Sequence, residues 1–499
     1  MQEEVELGAG DLGLEALEAI AGGAKVAVSE AGLARMAEGR RVLTQAIKAD
    51  TPIYGVTTGL GPRVVDRLDE AVRADFPADT VRGRAHALGP PLAPGIVRVA
   101  MAARAQSMLT GATGARPVLA EMLAGCLNAG LTPVVGETAT IGAGDLMWGG
   151  MIGLGMIGEG EMETPEGRMP APAALAAHGL APLKLMPREG LAFVSNSSPT
   201  AAVAATGLIA LCARLHAAQA AAALSLEGFR GNLSPLDSDV LALSPKPGQA
   251  RAAEGLLSWL EGSGLHAPGA ARRLQDPLSL RNIVQVQGAV FAAADWLEAA
   301  VLPEINTPTD NPVVLIGRGK VLSGGSYMSP QVAIAAQALN DAARHLAAQS
   351  VGRVQKLISA RFSELPAGLS RLGIGSVGFG AMMKVVETLA AEIGHLAAPA
   401  PVYPSISADG VEDTLTHAAI PAKAMHAIAE KLAYLIAIEL MVATQAAEMR
   451  ETAVAPRLAD VMEQVRAHAA PLDRDRSLTA EIEALKAAIV AGELPRMGT

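Results

Sequence analysis

Several polar loops separate the long apolar segments of this 499-residue sequence, and they hold the side chains best suited to chemistry. One of them, T-A-T-I-G-A-G-D-L-M-W-G-G from Thr138 to Gly150, surrounds a lone Asp145 with small residues and offers no Ser or Cys nucleophile, acid pair or metal-ligand set. The other loops are I-Y-G-V-T-T-G-L-G-P (53–62), Q-D-P-L-S-L-R (275–281), E-I-N-T-P-T-D-N-P (304–312), S-G-G-S-Y-M-S (323–329) and P-S-I-S-A-D-G-V-E-D-T (404–414). Binding and catalytic residues concentrate on loops at the ends of rigid elements, so we expect a site here. Taken singly, Tyr54 or Arg281 would equally suit a turn or a helix cap.

Helical patterns connect these loops. Apolar clusters and charges alternate at helical spacing over residues 14–49, and long helices broken by polar loops are indicated from Thr200 to about Ala447. Half of the residues are hydrophobic but only 3% are aromatic, so Ala, Leu, Val, Ile and Met must build a core of closely packed helices. We predict a mostly α-helical protein with two parts: an N-terminal domain over residues 1–199, and a central and C-terminal helical bundle over residues 200–499.

The apolar run from Thr200 to Leu226 is long enough to span a bilayer but contains Arg214, His216 and Gln219 and is rich in Ala. We interpret it as a buried helix of a central bundle and expect no membrane association. An apolar helix in a soluble protein must be covered on all sides, which favours a bundle completed by other subunits.

Charge and cysteine usage exclude further classes of function. The net charge of −10 lacks the clustered Lys and Arg of a nucleic-acid surface. Cys126 and Cys212 lack metal-ligand spacing and suit a reducing compartment, and the acidic start M-Q-E-E-V-E-L is unlike a signal peptide. We therefore expect a cytoplasmic protein without nucleic-acid partners or a metal site.

Taken in order, the loops resemble those of the aromatic amino acid ammonia-lyase family, which includes histidine, phenylalanine and tyrosine ammonia-lyases and related aminomutases. Y-G-V-T-T-G-L-G from Tyr54 to Gly61 is similar to the family's Y-G-V-N-T-G-F-G. The other matches are R-E-G-L-A (188–192), Q-D-P-x-S-x-R (275–281), E-I-N-x-x-T-D-N-P (304–312) and S-G-G (323–325). The resemblance implies an ammonia-lyase-type fold in a homotetramer, with active sites built from loops of three subunits. It also implies a small amino acid-like substrate and carbon–nitrogen lyase chemistry.

The same resemblance implies an electrophilic methylidene-imidazolone ring, which the family forms by cyclisation and dehydration of an internal Ala-Ser-Gly. The corresponding tripeptide here is Gly142-Ala143-Gly144. Ala143 has no hydroxyl to eliminate, so the chain as written is expected to lack this cofactor. Either a serine has been replaced by alanine at position 143, or the natural protein works without the ring.

Other departures from the family favour natural divergence. The A-P-L-A that follows Gly-Asp-Leu is M-W-G-G here, and the Tyr that precedes the family's Arg is Leu278. A non-catalytic binding or assembly protein is a third alternative, which retention of Tyr54, Arg281, Asn311 and Glu412 disfavours.

By resemblance, Tyr54 is the general base on a mobile loop, and Arg281 binds the substrate carboxylate through its planar guanidinium. The tripeptide Gly142-Ala143-Gly144 and Glu412 are the other catalytic positions, and Glu412 faces the substrate amine or side chain. Further substrate-binding positions fall on Ser195 or its neighbour Asn196, on Asn311, and on Tyr327 in place of a Phe.

The family's side-chain selectivity pair falls on Gly83 and Arg84. A guanidinium is poorly matched to a phenyl ring and better matched to an anion or another polar group. We therefore predict a lyase acting on a polar or acidic substrate rather than on phenylalanine or tyrosine, without the ring. The alternative is a ring-dependent lyase or aminomutase carrying a serine-to-alanine change.

Overall fold

A computed structural model of the protein describes residues 4–495, and these are mostly α-helical, as predicted. The helices are α1 (Leu14–Ala21), α2 (Glu30–Lys48), α3 (Glu70–Arg82), α4 (Pro94–Met108), α5 (Val118–Ala129), α6 (Leu146–Met156), α7 (Ala171–Ala177), α8 (Glu189–Val194), α9 (Ser198–Phe229), α10 (Ser238–Ala242), α11 (Gln249–Trp259), α12 (Leu278–Arg281), α13 (Ile283–Asn306), α14 (Pro330–Ile358), α15 (Ala360–Ser363), α16 (Met383–Leu396), α17 (Ala419–Glu448), α18 (Pro456–His468) and α19 (Thr479–Val490). The strands are β1 (Val5–Leu7), β2 (Val26–Val28), β3 (Leu88–Pro91), β4 (Thr132–Pro133), β5 (Gly136–Thr138), β6 (Glu161–Thr164), β7 (Gly167–Pro170), β8 (Val313–Leu315) and β9 (Lys320–Leu322).

The chain divides into two compact units, and neither is a single continuous stretch. The first unit contains the residues through Ile209 together with 297–336 and 400–423; the second contains 210–296, 337–399 and the residues from Ala424 onward. This division differs from the predicted boundary at residue 199. Two later segments return to the first unit, because packing rather than chain order defines a compact unit.

Small sheets occur only in the first unit, among the residues that the structure describes. β1 and β2 pair in parallel, whereas β3–β5, β4–β6–β7 and β8–β9 are antiparallel. The longest pairing joins β6 to β7 over four residues on each strand, so these sheets are local ties between helices rather than a central layer.

Glycines let three helices of the first unit approach closely. A β-carbon at Gly190 in α8 would lie 1.9 Å from the carbonyl oxygen of Pro77 in α3. In α6, a β-carbon at Gly149 would lie 2.3 Å from Phe193 O, and one at Gly150 would lie 2.5 Å from Arg84 O. The contacts bring the segment after α3, the loop before α6 and the segment after α8 together, because only Gly permits such backbone approach.

An apolar cluster fixes the base of the Tyr54 loop. Ile53 and Val56, on either side of Tyr54, pack with Val42 and Leu43 of α2 and with Val314 of β8, and all five are buried. The hydrophobic contacts hold both flanks of the turn, so the Tyr54 side chain projects from a rigid support.

The second unit contains a buried polar cluster between its helical segments. Glu439 of α17 accepts hydrogen bonds from Arg353 Nε of α14 at 2.6 Å and from Ser225 Oγ of α9 at 2.8 Å. All three side chains are buried, and the carboxylate has both a charge partner and hydrogen-bond donors, as a buried charge requires.

Among residues 4–495, one stretch, Glu189–Phe229, which includes α8 and α9, is long and apolar enough to cross a membrane by length and composition. In its most apolar 18-residue window, 67% is buried inside the protein. This burial agrees with the interpretation of residues 200–226 as a core helix.

Candidate active site

A cavity of about 200 Å³ lies within the first unit and gathers most of the predicted site residues. Its lining comes from loops that are distant in sequence. The predicted residues that line it are Tyr54, Arg84, Ala143, Gly144, Ser195, Asn311, Tyr327 and Glu412. The structure therefore brings together eight residues that span more than 350 positions of the sequence.

Tyr54 lies in a turn that its own backbone and two threonines hold. The Ile53 carbonyl accepts from the amides of Thr57 and Thr58 at 3.0 and 3.2 Å, and Thr57 Oγ1 accepts from Ile53 N at 2.8 Å. At the other end of the side chain, the Gly61 amide donates to Tyr54 Oη at 3.0 Å. The hydroxyl oxygen is therefore fixed, while its hydrogen is free to point elsewhere.

Hydrogen bonds fix the tripeptide loop, Gly142-Ala143-Gly144, at both of its ends. Gly144 N donates to Tyr327 O at 2.9 Å, and Asn196 N donates to Gly144 O at 3.0 Å. On the other side, Thr416 Oγ1 donates to Gly142 O at 2.8 Å. Ala143 forms an isolated antiparallel bridge with Met328, so the loop is anchored to two other segments of the first unit.

The residues of this loop do not fit a methylidene-imidazolone. Ala143 carries a methyl group where ring formation needs a hydroxyl that can leave as water. Position 142 also departs from the family's Ala: its φ is +78°, and a β-carbon there would lie 2.0 Å from Thr416 Oγ1. Residues 142 and 143 therefore both differ from the family's Ala-Ser-Gly. Residue 143 lacks the hydroxyl, and residue 142 has no room for a β-carbon.

Asp145 is a structural residue that sequence reasoning left unexplained. It is buried, has a φ of +44°, and accepts hydrogen bonds from Thr200 N and Thr200 Oγ1, both at 2.7 Å, and from Thr140 Oγ1 at 2.7 Å. Burial raises the pKa of its carboxyl group, and the Thr200 and Thr140 hydrogen bonds oppose that rise. Asp145 thus ties the tripeptide loop to the first turn of α9, where amides lack helical partners.

Arg84 and Glu412 place opposite charges on the cavity wall without forming an ion pair. No described carboxylate oxygen lies within 4.0 Å of the Arg84 guanidinium, whose one hydrogen bond is from Nη1 to Thr80 O at 3.3 Å. Burial lowers the pKa of Arg84, and the charges of Tyr54 and Glu412 oppose this. Burial likewise raises the pKa of Glu412, and the charge of Arg84 opposes that rise. Both side chains therefore have polar atoms available to a ligand.

Asn311 follows Asp310, which lies at the centre of a buried charge cluster that the sequence analysis did not single out. Its neighbour Asp310 accepts from Arg104 Nη2 at 2.7 Å and from Arg188 Nη2 at 2.6 Å. Arg188 also donates to Pro312 O at 3.0 Å, and the Asn311 side-chain oxygen accepts from Gly324 N at 3.0 Å. The motif E-I-N-x-x-T-D-N-P could have signalled this cluster, since Asp310 lies inside it.

Four predicted site residues do not line the cavity. Gly83 is exposed at the C-terminal end of α3, and Gly142 binds Thr416 behind the loop. Asn196 is buried, where its side chain donates to Phe193 O at 2.8 Å and accepts from Ser198 N at 3.0 Å, so Ser195 takes the cavity position. Arg281 belongs to the second unit, where it donates to Gln275 Oε1 at 2.6 Å and lines a different cavity of about 400 Å³.

The sequence also matches a known family over most of its length. A family model described as aromatic amino acid lyase matches residues 12–467. The chain belongs to the aromatic amino acid lyase family. The histidine ammonia-lyase of Deinococcus radiodurans is 32% identical over 492 residues, which cover 98% of this chain and 94% of that relative.

Two solved structures of aromatic amino acid lyase relatives share the fold over nearly the whole chain. One, from Treponema denticola, is described as the ergothioneine-degrading enzyme ergothionase in complex with desmethyl-ergothioneine sulfonic acid; it has a TM-score of 0.95 and 27% identity, over 99% of this chain and 100% of that chain. Histidine ammonia-lyase from Trypanosoma cruzi has a TM-score of 0.90 and 25% identity, over 99% of this chain and 96% of that chain. The predicted fold and the assignment to carbon–nitrogen lyases are confirmed.

Proposed function

We propose that this aromatic amino acid lyase family member is a carbon–nitrogen lyase that works without methylidene-imidazolone. Its substrate is a small carboxylate that carries an amine on its α-carbon and has a polar, imidazole-type side chain. The observation that carries the proposal is Ala143 itself, which lies on the wall of a cavity that retains Tyr54, Arg84 and Glu412. The chain keeps groups for proton abstraction and polar recognition but lacks the serine from which the family builds its electrophile.

Tyr54 is the base in this proposal. Its deprotonated oxygen takes a proton from the β-carbon of the substrate, the C–H electron pair forms the Cα=Cβ double bond, and the C–N pair leaves with the amine. The Gly61 amide, 3.0 Å from Tyr54 Oη, and the nearby charge of Arg84 would stabilise the negative oxygen.

Arg281 and Asn311 would hold the substrate carboxylate. Because Arg281 belongs to the second unit, we propose that it reaches the cavity of another subunit in a homotetramer, as the family resemblance implies. Its guanidinium suits two parallel hydrogen bonds to a carboxylate, which would orient the β-carbon toward Tyr54. We expect such an assembly in the cytoplasm, acting on a free small molecule.

Arg84 and Glu412 support a polar side chain on the substrate. An arginine donor on this wall complements a ring that has an acceptor atom, and the glutamate can accept from a ring N–H or attract the cationic nitrogen of the substrate. The relatives' names also point to such rings, since one set acts on histidine and the other on ergothioneine, a histidine derivative. A phenyl ring would leave both charged groups unpaired, at a cost in binding.

The alternative is a ring-dependent ammonia-lyase in which a serine has been replaced at position 143, and the histidine ammonia-lyases at 32% identity support it. Gly142 argues against a single replacement, because its positive φ and its contact with Thr416 exclude the family's Ala as well. Gly149 and Gly150, where the family has other residues, are also required by close backbone contacts. A non-catalytic protein would have no need of the retained Tyr54, Arg281, Asn311 and Glu412.

Product formation by the purified protein tests the proposal. The protein is incubated with L-histidine, histidine betaine, ergothioneine and L-phenylalanine, and the conjugated acrylate is followed by ultraviolet absorbance and mass spectrometry. We expect product from at least one imidazole-type substrate, none from phenylalanine, and none with Tyr54→Phe. Product from phenylalanine alone, or turnover that appears only in Ala143→Ser together with the loss of two waters from the intact mass, would overturn it.

A further inference from the structure

Most hydrogen-bond acceptors around Ala143 already accept a bond from the protein. Gly142 O is occupied by Thr416, Gly144 O by Asn196 N, and Tyr327 O by Gly144 N. The same holds for Asn311 Oδ1, which accepts from Gly324 N, and for Tyr54 Oη, which accepts from Gly61 N. A primary ammonium group brings three N–H donors that need acceptors. On this wall, the side-chain oxygens to which no described residue donates belong to Ser195, Tyr327 and Glu412.

The carboxylate of Glu412 is different, because no described residue donates a hydrogen bond to it or pairs with it within 4.0 Å. It therefore supplies the cavity with a negative charge that no described cation neutralises at contact distance. Such a site attracts a cation but does not require that the cation carry N–H groups.

Methyl, aromatic and small groups also line this cavity, together with the Arg84 guanidinium. Ala143 presents a methyl group, and Tyr54 and Tyr327 contribute two of only four tyrosines in the chain. A β-carbon added at Gly144 would lie 3.7 Å from Tyr327 Cδ2 and 3.8 Å from Ser195 Oγ, so these three residues face one space. Aromatic rings beside a carboxylate are the surroundings that quaternary ammonium ions prefer, through cation–π attraction and contact with their methyl groups.

The chemistry of the leaving nitrogen also favours a substrate with a quaternary ammonium group. A primary amine has a lone pair when deprotonated and can add to an electrophile, which is why an internal electrophile can activate it. A quaternary nitrogen has no lone pair and no exchangeable proton, so an electrophile at position 143 could not bind it. Its permanent positive charge already makes it a leaving group.

We infer that the substrate carries a quaternary ammonium group, which occupies the space between Ala143, Tyr54, Tyr327 and Glu412. This inference rests on the proposed function and specifies its substrate class as betaines. In the reaction Tyr54 gains the β-proton, the C–H pair becomes the double bond, and the C–N pair leaves on a neutral tertiary amine. No oxidant, reductant or further reactant is needed, because the positive charge of the nitrogen is cancelled by the pair that it receives.

Matched pairs of substrates test this inference. Each pair shares one skeleton and differs only at nitrogen: L-histidine with histidine betaine, and 2-thiohistidine with ergothioneine. Release of trimethylamine or ammonia is measured together with kcat/KM, and equilibrium binding of all four compounds is measured by calorimetry. We expect turnover of a betaine, at least roughly tenfold tighter binding of the betaine than of its primary amine, and no ammonia release. Glu412→Gln should weaken betaine binding at least about tenfold, whereas Asp413→Asn, an exposed neighbour, should leave it unchanged.

The outcomes distinguish the claim of a quaternary substrate from the claim of a ring-free lyase. Equal or faster turnover of the primary amines would overturn the quaternary class and leave the ring-free lyase standing. Absence of turnover with all four compounds would overturn the proposed function. In that case the calorimetric comparison still decides the inference, since equal binding of both members of a pair, or binding that Glu412→Gln does not change, would contradict it.

Discussion

The hydroxyl oxygen of Thr416 donates to the carbonyl oxygen of Gly142 at 2.8 Å, and the same hydroxyl lies 2.0 Å from the place that a β-carbon on residue 142 would take. The side chain that anchors the loop therefore also excludes a side chain from its first residue. Gly142 further has a φ of +78°, which L-residues rarely adopt.

Gly142→Ala should destabilise the first unit by about 1–3 kcal/mol, because the new methyl group meets Thr416 in a strained backbone conformation. Thermal and urea unfolding measure this loss. Combining Gly142→Ala with Thr416→Ala removes the contact with Oγ1 but neither the 2.7 Å approach to His417 N nor the backbone strain, so the double variant should regain only part of the stability. A Gly142→Ala protein as stable as the wild type would show that the loop relaxes freely and that this contact is not required.

The buried cluster around Asp310 should be costly to break. Asp310→Asn leaves the buried guanidiniums of Arg104 and Arg188 without their carboxylate, so we expect a loss of about 3–5 kcal/mol in the free energy of unfolding. Arg82→Ala, which breaks exposed pairs with Glu159 and Asp79, serves as the control and should cost less than about 1 kcal/mol. Similar losses in the two variants would contradict the role assigned to burial.

Binding of a cationic substrate should depend on pH through Glu412. Burial raises the pKa of this carboxyl above its ordinary value, so it protonates at a higher pH than an exposed glutamate as the solution is acidified. Affinity for a betaine should therefore be full above that raised pKa and fall as pH decreases through it. Arg84→Met removes the charge that opposes the rise and should move the fall to higher pH.

Calorimetric titrations at several pH values check this dependence, with histidine betaine as the probe. Glu412→Gln should flatten the profile, because it has no titrating carboxyl at this position. A profile that remains unchanged in Glu412→Gln would assign the titration to another group.

Subunit mixing tests the origin of the carboxylate site. Tyr54→Phe and Arg281→Met should each abolish most activity, the first by loss of the base and the second by loss of a carboxylate contact. If different chains supply these residues, tetramers assembled from both variants contain sites with neither change, and activity returns. Hybrids as inactive as the parent variants would contradict the sharing of sites between subunits.

Motifs of the sequence indicated which loops could form one site, but not how the segments that carry them group in space. Motif order singled out Tyr54, Asn311, Tyr327 and Glu412, and the structure brings all four to one cavity. Motif order could not show that Asn196 points away while Ser195 lines the cavity, since a shift of one residue reverses the facing of a side chain after α8. The roles of Thr416 and Arg104 depend on contacts across about 200 to 270 positions, for which local sequence carries no signal.

The single boundary predicted at residue 199 differs from the observed division for a similar reason. Composition and periodicity describe neighbours along the chain, whereas the segments 297–336 and 400–423 join the first unit through packing. The glycines of α6 are visible in the sequence, but their role is clear only from the carbonyl oxygens of Phe193 and Arg84 that lie against them.

Turnover of histidine betaine or ergothioneine by the unmodified Ala143 protein tests the central claim most directly. The measurement follows acrylate formation and trimethylamine release in equal amounts, with Tyr54→Phe as the inactive control. We predict equimolar products from the Ala143 protein and none from the control. Absence of product from the Ala143 protein on either betaine, together with ammonia release from L-histidine once Ala143→Ser is introduced, would contradict a ring-free lyase.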